Sequence, residues 1–149
     1  MEIPGTIQDV LRNKSSELYV VSARTMVFTA IKMMAEKNVG ALLVMRGEEL
    51  VGLISERDYT RKVILKGQSS RDTLVGSIMT RDVVTVGEAG GVGEALRLMT
   101  ERRVRHLPVT REGRVVGMLS IGDLVKWVIS AQDSTIRQLQ GYITGGYPG

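Results

Sequence analysis

The sequence predicts an α+β fold built from two β-α-β-β-α repeats packed with pseudo-two-fold symmetry. Three observations carry that prediction. Shifted by 65 positions, so that Val27 falls on Val92, the chain matches itself without a gap: Ala30, Met34, Glu36, Val39, Leu42, Val44, Val51, Gly52, Ser55 and Asp58 fall on Ala95, Met99, Glu101, Val104, Leu107, Val109, Val116, Gly117, Ser120 and Asp123. A match this long marks a duplicated unit. Within each copy the apolar spacing changes from helical to strand-like. Each copy also closes on the same heptapeptide frame, GLISERD at residues 52–58 and GMLSIGD at 117–123.

The elements follow in order. Thr6 to Leu11 and Val75 to Met79 read as short helical lead-ins, and Leu18 to Val21 and Val83 to Val86 as short extended stretches. Val27, Ala30, Ile31 and Met34 stand at i, i+3, i+4 and i+7, one face of a helix, and Val92, Ala95, Leu96 and Met99 repeat that face. Met33, Met34 and Met99 on these faces read as core filler. Val39 to Met45 and Leu50 to Ile54 flank the polar turn Arg46-Gly47-Glu48-Glu49, the pattern of a β-hairpin; Leu107 to Val109 and Val115 to Leu119 flank Arg111 to Arg114 in the same way. A second helix follows each hairpin, over Glu56 to Lys66 and Ile121 to Ala131, with a further helix over Ser134 to Tyr142 and a frayed Gly145–Gly149. Trp127 is expected in packing on the last helix or at a dimer seam. The divisions are a first repeat with its lead-in at 6–67, a linker at 68–74, a second repeat at 75–133 and a tail at 134–149. One unit is too small to bury a core comfortably, so the two are expected to share one core and to leave two related clefts between them.

Bulk composition narrows the function. Hydrophobic residues make up 43 % of 149, enough for a core, and no apolar run approaches the roughly 20 residues of a membrane helix. Without cysteine, disulfides and cysteine-ligated zinc are excluded, and one histidine excludes a histidine-rich metal site. No secretory signal is visible at the N-terminus, and a cytoplasmic protein is expected. The net charge of +4 attracts anions, but aromatics are only 4 % and do not interleave with basic residues, so base stacking on nucleic acid is poorly served. No nucleophile–base–acid set is recognisable. Asp58 and Asp123 could be imagined as an acid/base pair, but they occupy equivalent places in a duplication, which explains them better; no enzyme and no catalytic cofactor are expected.

The heptapeptides admit two readings. Ser-x-x-Asp at a helix start is a capping box, in which the Ser hydroxyl accepts from the Asp amide and the carboxylate reaches back to the Ser amide; Gly52 and Gly117 would then serve close packing. The same geometry also suits a nucleotide. A helix N-terminus seats phosphate, and an Asp in its first turn can accept both hydroxyls of a ribose.

The two β-α-β-β-α units, the two Gly-x-x-Ser-x-x-Asp endings and the strand RVRHLPV at 103–109 resemble a tandem pair of CBS domains, the cystathionine β-synthase modules, over about residues 6–133. That resemblance implies binding of an adenosyl ligand (AMP, ADP, ATP, NAD(H) or S-adenosylmethionine) between the repeats, a regulatory or energy-sensing role, and a homodimer. It implies one site of Ser55, Arg57 and Asp58 with Val84, Val104, Arg105, His106 and Pro108, and another of Ser120 and Asp123 with Tyr19, Val39, Gly40 and Ala41. The resemblance further implies that Asp holds the ribose, Ser meets ribose or phosphate, apolar and backbone groups hold adenine, and the basic residues meet phosphate. Arg57, Arg105 and His106 stand where the other copy has Gly122, Gly40 and Ala41, so the Asp58 site is expected to bind phosphorylated nucleotide more tightly. His106 also reads simply as a surface histidine among arginines. Gly87 to Gly91 offers no Ser or Thr cap before Val92, and a looser helix start is expected there. The competing functions are an interaction module with degenerate sites and a basic nucleic-acid binder.

Overall fold

The computed structural model describes residues 3–143, with side chains to residue 133; the frayed tail expected at Gly145–Gly149 lies outside the described residues. The order is α1 (Ile7–Arg12), β1 (Val20–Val21), α2 (Val27–Lys37), β2 (Ala41–Arg46), β3 (Glu49–Ser55), α3 (Glu56–Tyr59), α4 (Val75–Ile78), β4 (Val86–Gly87), α5 (Val92–Arg102), β5 (His106–Arg111), β6 (Arg114–Ser120) and α6 (Ile121–Ile143). Two three-stranded sheets result, β1-β2-β3 and β4-β5-β6. In each, the short first strand runs parallel to the second and the hairpin is antiparallel, with matching registers: Val44 faces Gly52 and Val109 faces Gly117. Two repeated units of mixed α and β structure are thus present.

Each helix buries the face that its spacing defines. Val27, Ala30 and Met34 are buried on α2, and Val92, Ala95 and Met99 on α5. Both helices close on a left-handed residue, Asn38 at φ 55° and Arg103 at φ 54°. Asn tolerates that conformation better than Arg does.

The interior differs from the expected single core. Two apolar clusters form, one per sheet. The lead-ins connect them by exchange. Ile7 and Val10 of α1, which precede the first repeat in the chain, are buried with Val92, Leu107 and Leu119 of the second. Val75, Ile78 and Met79, at the head of the second repeat, are buried with Val27, Leu42 and Ile54 of the first. Backbone bonds fix the exchange. Ile7 N–H donates to the Gly90 carbonyl at 2.8 Å and Val92 N–H to Gly5 at 3.2 Å; symmetrically, Val75 N–H donates to Thr25 and Val27 N–H to Thr73, each at 2.8 Å. These carbonyls satisfy the amides that start α2 and α5, neither of which has a side-chain cap. The uncapped glycine start of α5 therefore does not set it apart from α2.

The helices after the hairpins also diverge. α3 passes after one turn into a π-helical turn over Thr60–Ile64. The Thr60 hydroxyl donates to the Glu56 carbonyl at 3.1 Å, which occupies an acceptor of the α-helical ladder. α6 instead runs unbroken through Ile143, where the sequence predicts two helices. Trp127 packs against the second core and its indole N–H donates to the Pro4 carbonyl at 2.7 Å, tying α6 to the N-terminal segment.

Candidate functional site

Both heptapeptides form the capping box. The Asp58 amide donates to Ser55 Oγ at 3.1 Å and the Ser55 amide to Asp58 Oδ2 at 3.0 Å; the Asp123 amide donates to Ser120 Oγ at 3.1 Å and the Ser120 amide to Asp123 Oδ2 at 2.8 Å. A third box, Thr6 with Asp9, starts α1. Gly52 and Gly117 allow close approach. A Cβ on Gly52 would meet Met79 Sδ at 2.6 Å and the Thr80 carbonyl at 3.0 Å; one on Gly117 would meet Leu11 Cδ2 at 2.8 Å. In both cases the neighbour belongs to an exchanged lead-in or to the residue beside it.

The surroundings of the two carboxylates are unequal. Around Asp58, the segment after α4 pairs with β3: Thr80 N–H donates to Leu53 at 2.8 Å and Leu53 N–H returns the bond at 2.9 Å. The Thr80 hydroxyl then reaches Asp58 Oδ1 at 3.2 Å, and Lys62, one helical turn on, contacts the same oxygen at 2.9 Å. Both carboxylate oxygens are engaged and the side chain is only 9 % exposed. At the equivalent place in the second copy there is no backbone bridge. The Met118 carbonyl accepts instead from Lys14 Nζ at 2.7 Å, and the same ammonium meets Asp123 Oδ2 at 2.7 Å. Asp123 Oδ1 has no partner among the described residues, and the side chain is 25 % exposed. Partial burial raises the Asp123 pKa, but the bonds from Lys14 and the Ser120 amide and hydroxyl outweigh it and hold the carboxyl below the ordinary value.

Two clefts follow. One, of about 200 Å³, is lined by Ser55, Arg57, Asp58, Val84, Val104, Arg105 and His106, with Glu56, Thr80, Asp82 and Arg103. The other, of about 670 Å³, is lined by Tyr19, Val39, Gly40, Ala41, Ser120 and Asp123, with Arg12, Lys14, Lys37 and Arg111 among its cations and Glu17 and Glu88 as further acids. The structure thus brings together the members of both expected groups, except Pro108, which is buried in β5 opposite Met118 and lines neither cleft. His106 and Gly40 line both. Burial is the main influence on His106 and lowers its pKa; Asp123 opposes that shift, and Lys14 and Arg105 reinforce it. It is not the free surface histidine of the simpler reading.

The charge lining the two clefts is more even than the comparison of the two copies implies. Arg57, Arg103 and Arg105 in the smaller cleft face Glu56, Asp58 and Asp82, three of each sign, whereas Arg12, Lys14, Lys37 and Arg111 in the larger face Glu17, Glu88 and Asp123. Lys62, paired with Asp58 as Lys14 is with Asp123, adds a further cation beside the smaller cleft, so the two clefts carry similar charge. Lys14, Lys62 and Thr80 were beyond the heptapeptide pattern. Lys62 could be found from its i+4 spacing to Asp58; Lys14 and Thr80 arrive only through the lead-in exchange.

Comparison with known proteins agrees with this architecture. The CBS-domain family model matches residues 7–64 and again 75–130. The chain belongs to the CBS-domain family. It is 43 % identical over 152 residues to the CBS domain-containing protein CBSX3, mitochondrial, of Arabidopsis thaliana, covering 95 % of this chain and 73 % of that protein. A protein with CBS domains from Burkholderia ambifaria is 46 % identical, with a TM-score of 0.83 over 86 % of this chain and 96 % of that one. The CBS domain pair of protein MJ0100, solved in complex with 5′-methylthioadenosine and S-adenosyl-L-methionine, shares the fold at 22 % identity, with a TM-score of 0.73 over 82 % of this chain and 94 % of that one. Among the described residues no helix is long and apolar enough to cross a membrane.

Proposed function

We propose that this CBS pair is a regulatory module that binds an adenosyl ligand, and that the Asp123 cleft is its principal seat. The observation that carries the reading is the pairing of a cleft of about 670 Å³ with a carboxylate that keeps one oxygen free. A volume of that size lies within the range of about 300–1,000 Å³ typical of small-molecule sites, and the Asp58 cleft at about 200 Å³ lies below it. Asp123 Oδ1 accepts one ribose hydroxyl directly, and Oδ2 accepts the second once Lys14 turns aside. Tyr19, Val39 and Ala41 offer the apolar wall for adenine, and Arg12, Lys37 and Arg111 the positive charge for phosphate. AMP, ADP, ATP, NAD(H) and S-adenosylmethionine all carry the adenosine that these groups read. This order of the two clefts reverses the one expected from sequence.

A ligand spanning residues of both repeats stabilises one packing of the halves over another, which is how a binding module transmits a signal. A second copy of the chain is the proposed partner, through exposed apolar residues such as Ile64, Val125 and Ile129 on the helices after the hairpins. A cytoplasmic location and the absence of catalysis belong to the same proposal. The test is a thermal-shift screen with AMP, ADP, ATP, NAD, NADH and S-adenosylmethionine on wild type and Asp123→Ala. A ligand at 100 times its Kd stabilises the fold by about 2.7 kcal/mol. One adenosyl ligand raising the melting point in wild type but not in Asp123→Ala supports the reading. No shift with any of them sinks it in favour of an interaction module with empty clefts.

A further inference from the structure

The two lead-ins reach the hairpin edges by junctions of different length. After α4, Met79 covers Gly52 and is followed at once by Thr80. Thr80 pairs with the Leu53 backbone in both directions and bonds Asp58 through its hydroxyl. On the α1 side Leu11 covers Gly117, and the residue 65 positions before Thr80 is Ser15. Arg12, Asn13 and Lys14 stand between Leu11 and Ser15, whereas nothing stands between Met79 and Thr80. Those residues add up to about 10 Å of reach to the α1 junction.

The extra length leaves a slack strap. Every residue from Arg12 to Leu18 is exposed. Lys14 N–H donates to the Leu11 carbonyl at 3.3 Å at one end, and the Tyr19 carbonyl accepts from Leu43 N–H at 3.1 Å at the other. Between them the strap backbone makes a local bond, Glu17 N–H to Ser15 Oγ at 3.2 Å. The strand edge it faces is open as well. Leu53 turns its N–H and carbonyl away from β2 to meet Thr80, and Met118 holds the same register place in β6. The Met118 carbonyl takes only the Lys14 ammonium, and neither its N–H nor Asp123 Oδ1 has a partner among the described residues. Ser15, Met118 and Asp123 line one cleft.

We propose that residues 13–18 are an autoinhibitory strap that closes on this cleft when no ligand fills it, with Ser15 taking the place that Thr80 holds in the other copy. Ser15 N–H then donates to the Met118 carbonyl, Met118 N–H donates to the Ser15 carbonyl, and the Ser15 hydroxyl donates to Asp123 Oδ1. Strap and ribose compete for the same carboxylate oxygen. Closure gains pairing at a strand edge but orders residues that the slack leaves free, so the open and closed forms stay near balance; Thr80 has no slack to order. Lys14 turns aside for either occupant. The competition rests on the Asp123 cleft being the adenosyl seat; the closure itself does not.

The experiment is amide hydrogen exchange of the full chain, followed by NMR without ligand, and then calorimetric titration with adenosine, the part that all the candidate ligands share. Only the open strap exposes the Met118 amide and admits ligand, so exchange rate and apparent affinity both scale with the open fraction. Ser15→Pro lacks the N–H that closure needs, and is expected to raise the Met118 exchange rate about threefold or more and adenosine affinity by the same factor. Ser15→Ala, which loses only the hydroxyl bond, moves both the same way by less. Deleting Arg12–Lys14 gives the α1 junction the length of the α4 junction, and is expected to slow Met118 exchange and weaken adenosine, each by about tenfold or more. The Leu53 amide, held by Thr80, is the internal reference and stays constant throughout. Unchanged Met118 exchange in Ser15→Pro, or Met118 and Leu53 speeding up together, overturns the proposal. Met118 exchange that responds while adenosine affinity does not upholds the strap and removes the Asp123 cleft as the adenosyl seat.

Discussion

In the first copy of the repeated heptapeptide, the Asp58 carboxylate receives the Ser55 amide and hydroxyl on one oxygen and Thr80 and Lys62 on the other. In the second copy, with the same capping bonds, the Asp123 carboxylate receives Lys14 on one oxygen and keeps the other free. The difference originates one residue pair away. The Leu53 carbonyl pairs with the backbone of Thr80, which fills that side of the cleft, while the equivalent Met118 carbonyl takes only a lysine tip. The same motif thus has both carboxylate oxygens engaged in one copy and one oxygen free in the other, and a neighbouring chain segment makes the difference.

The largest effects should come from breaking that asymmetry. Asp58→Ala removes a buried, fully bonded carboxylate and leaves Lys62 beside Thr80 without its counter-charge, at a cost of about 2–3 kcal/mol. Asp123→Ala, at a more exposed site, should cost about 1 kcal/mol. Chemical denaturation of the two variants side by side checks the ranking, and equal losses would erase the distinction between joint and open site.

The glycines sharpen the same contrast. Gly52→Ala drives a methyl against a backbone carbonyl, that of Thr80, whereas Gly117→Ala meets only the mobile end of Leu11. Expected losses are about 2 kcal/mol for Gly52→Ala and about 1 kcal/mol for Gly117→Ala, read from urea midpoints. Smaller still is the effect of Lys14→Met, which frees Asp123 Oδ2. An exposed ion pair is worth up to about 1 kcal/mol, so adenosine should bind up to about fivefold more tightly. A weaker affinity would make Lys14 a ligand contact and not a competitor.

The finest test is titration. The folded pKa of Asp123 lies below its unfolded value, so its contribution to stability is complete above the ordinary carboxylate pKa of about 3.9 and is lost as pH falls through the folded value. The stability difference between wild type and Asp123→Asn should therefore be constant near neutrality and shrink only in strong acid. Shrinkage already at pH 6 would assign the shift to another group.

What the sequence makes legible is what local chemistry specifies. The apolar faces of α2 and α5, the two hairpins and both capping boxes all lie within a few residues of their own signals, and the repeat shows as direct self-similarity. Thr6-x-x-Asp9 carries the same signature as Ser55-x-x-Asp58 and could be read with it. The lead-in exchange is different. Ile7 and Val75 carry no mark of which core will bury them, because the choice is made by backbone pairing with Gly90 and Thr25, distant in the chain. Both clefts inherit that dependence. The residues expected in them do line them, Pro108 excepted, yet the proposed ranking of the two rests on Thr80 and Lys14, which the exchange delivers.

The Asp123 cleft is the proposed adenosyl seat. Its most direct test is calorimetric titration of wild type, Asp123→Asn and Asp58→Asn with the ligand that most raises the melting point. Loss of about tenfold or more in affinity in Asp123→Asn, with Asp58→Asn within about threefold of wild type, is the predicted result. The reverse pattern would place the nucleoside at Asp58 and contradict the account.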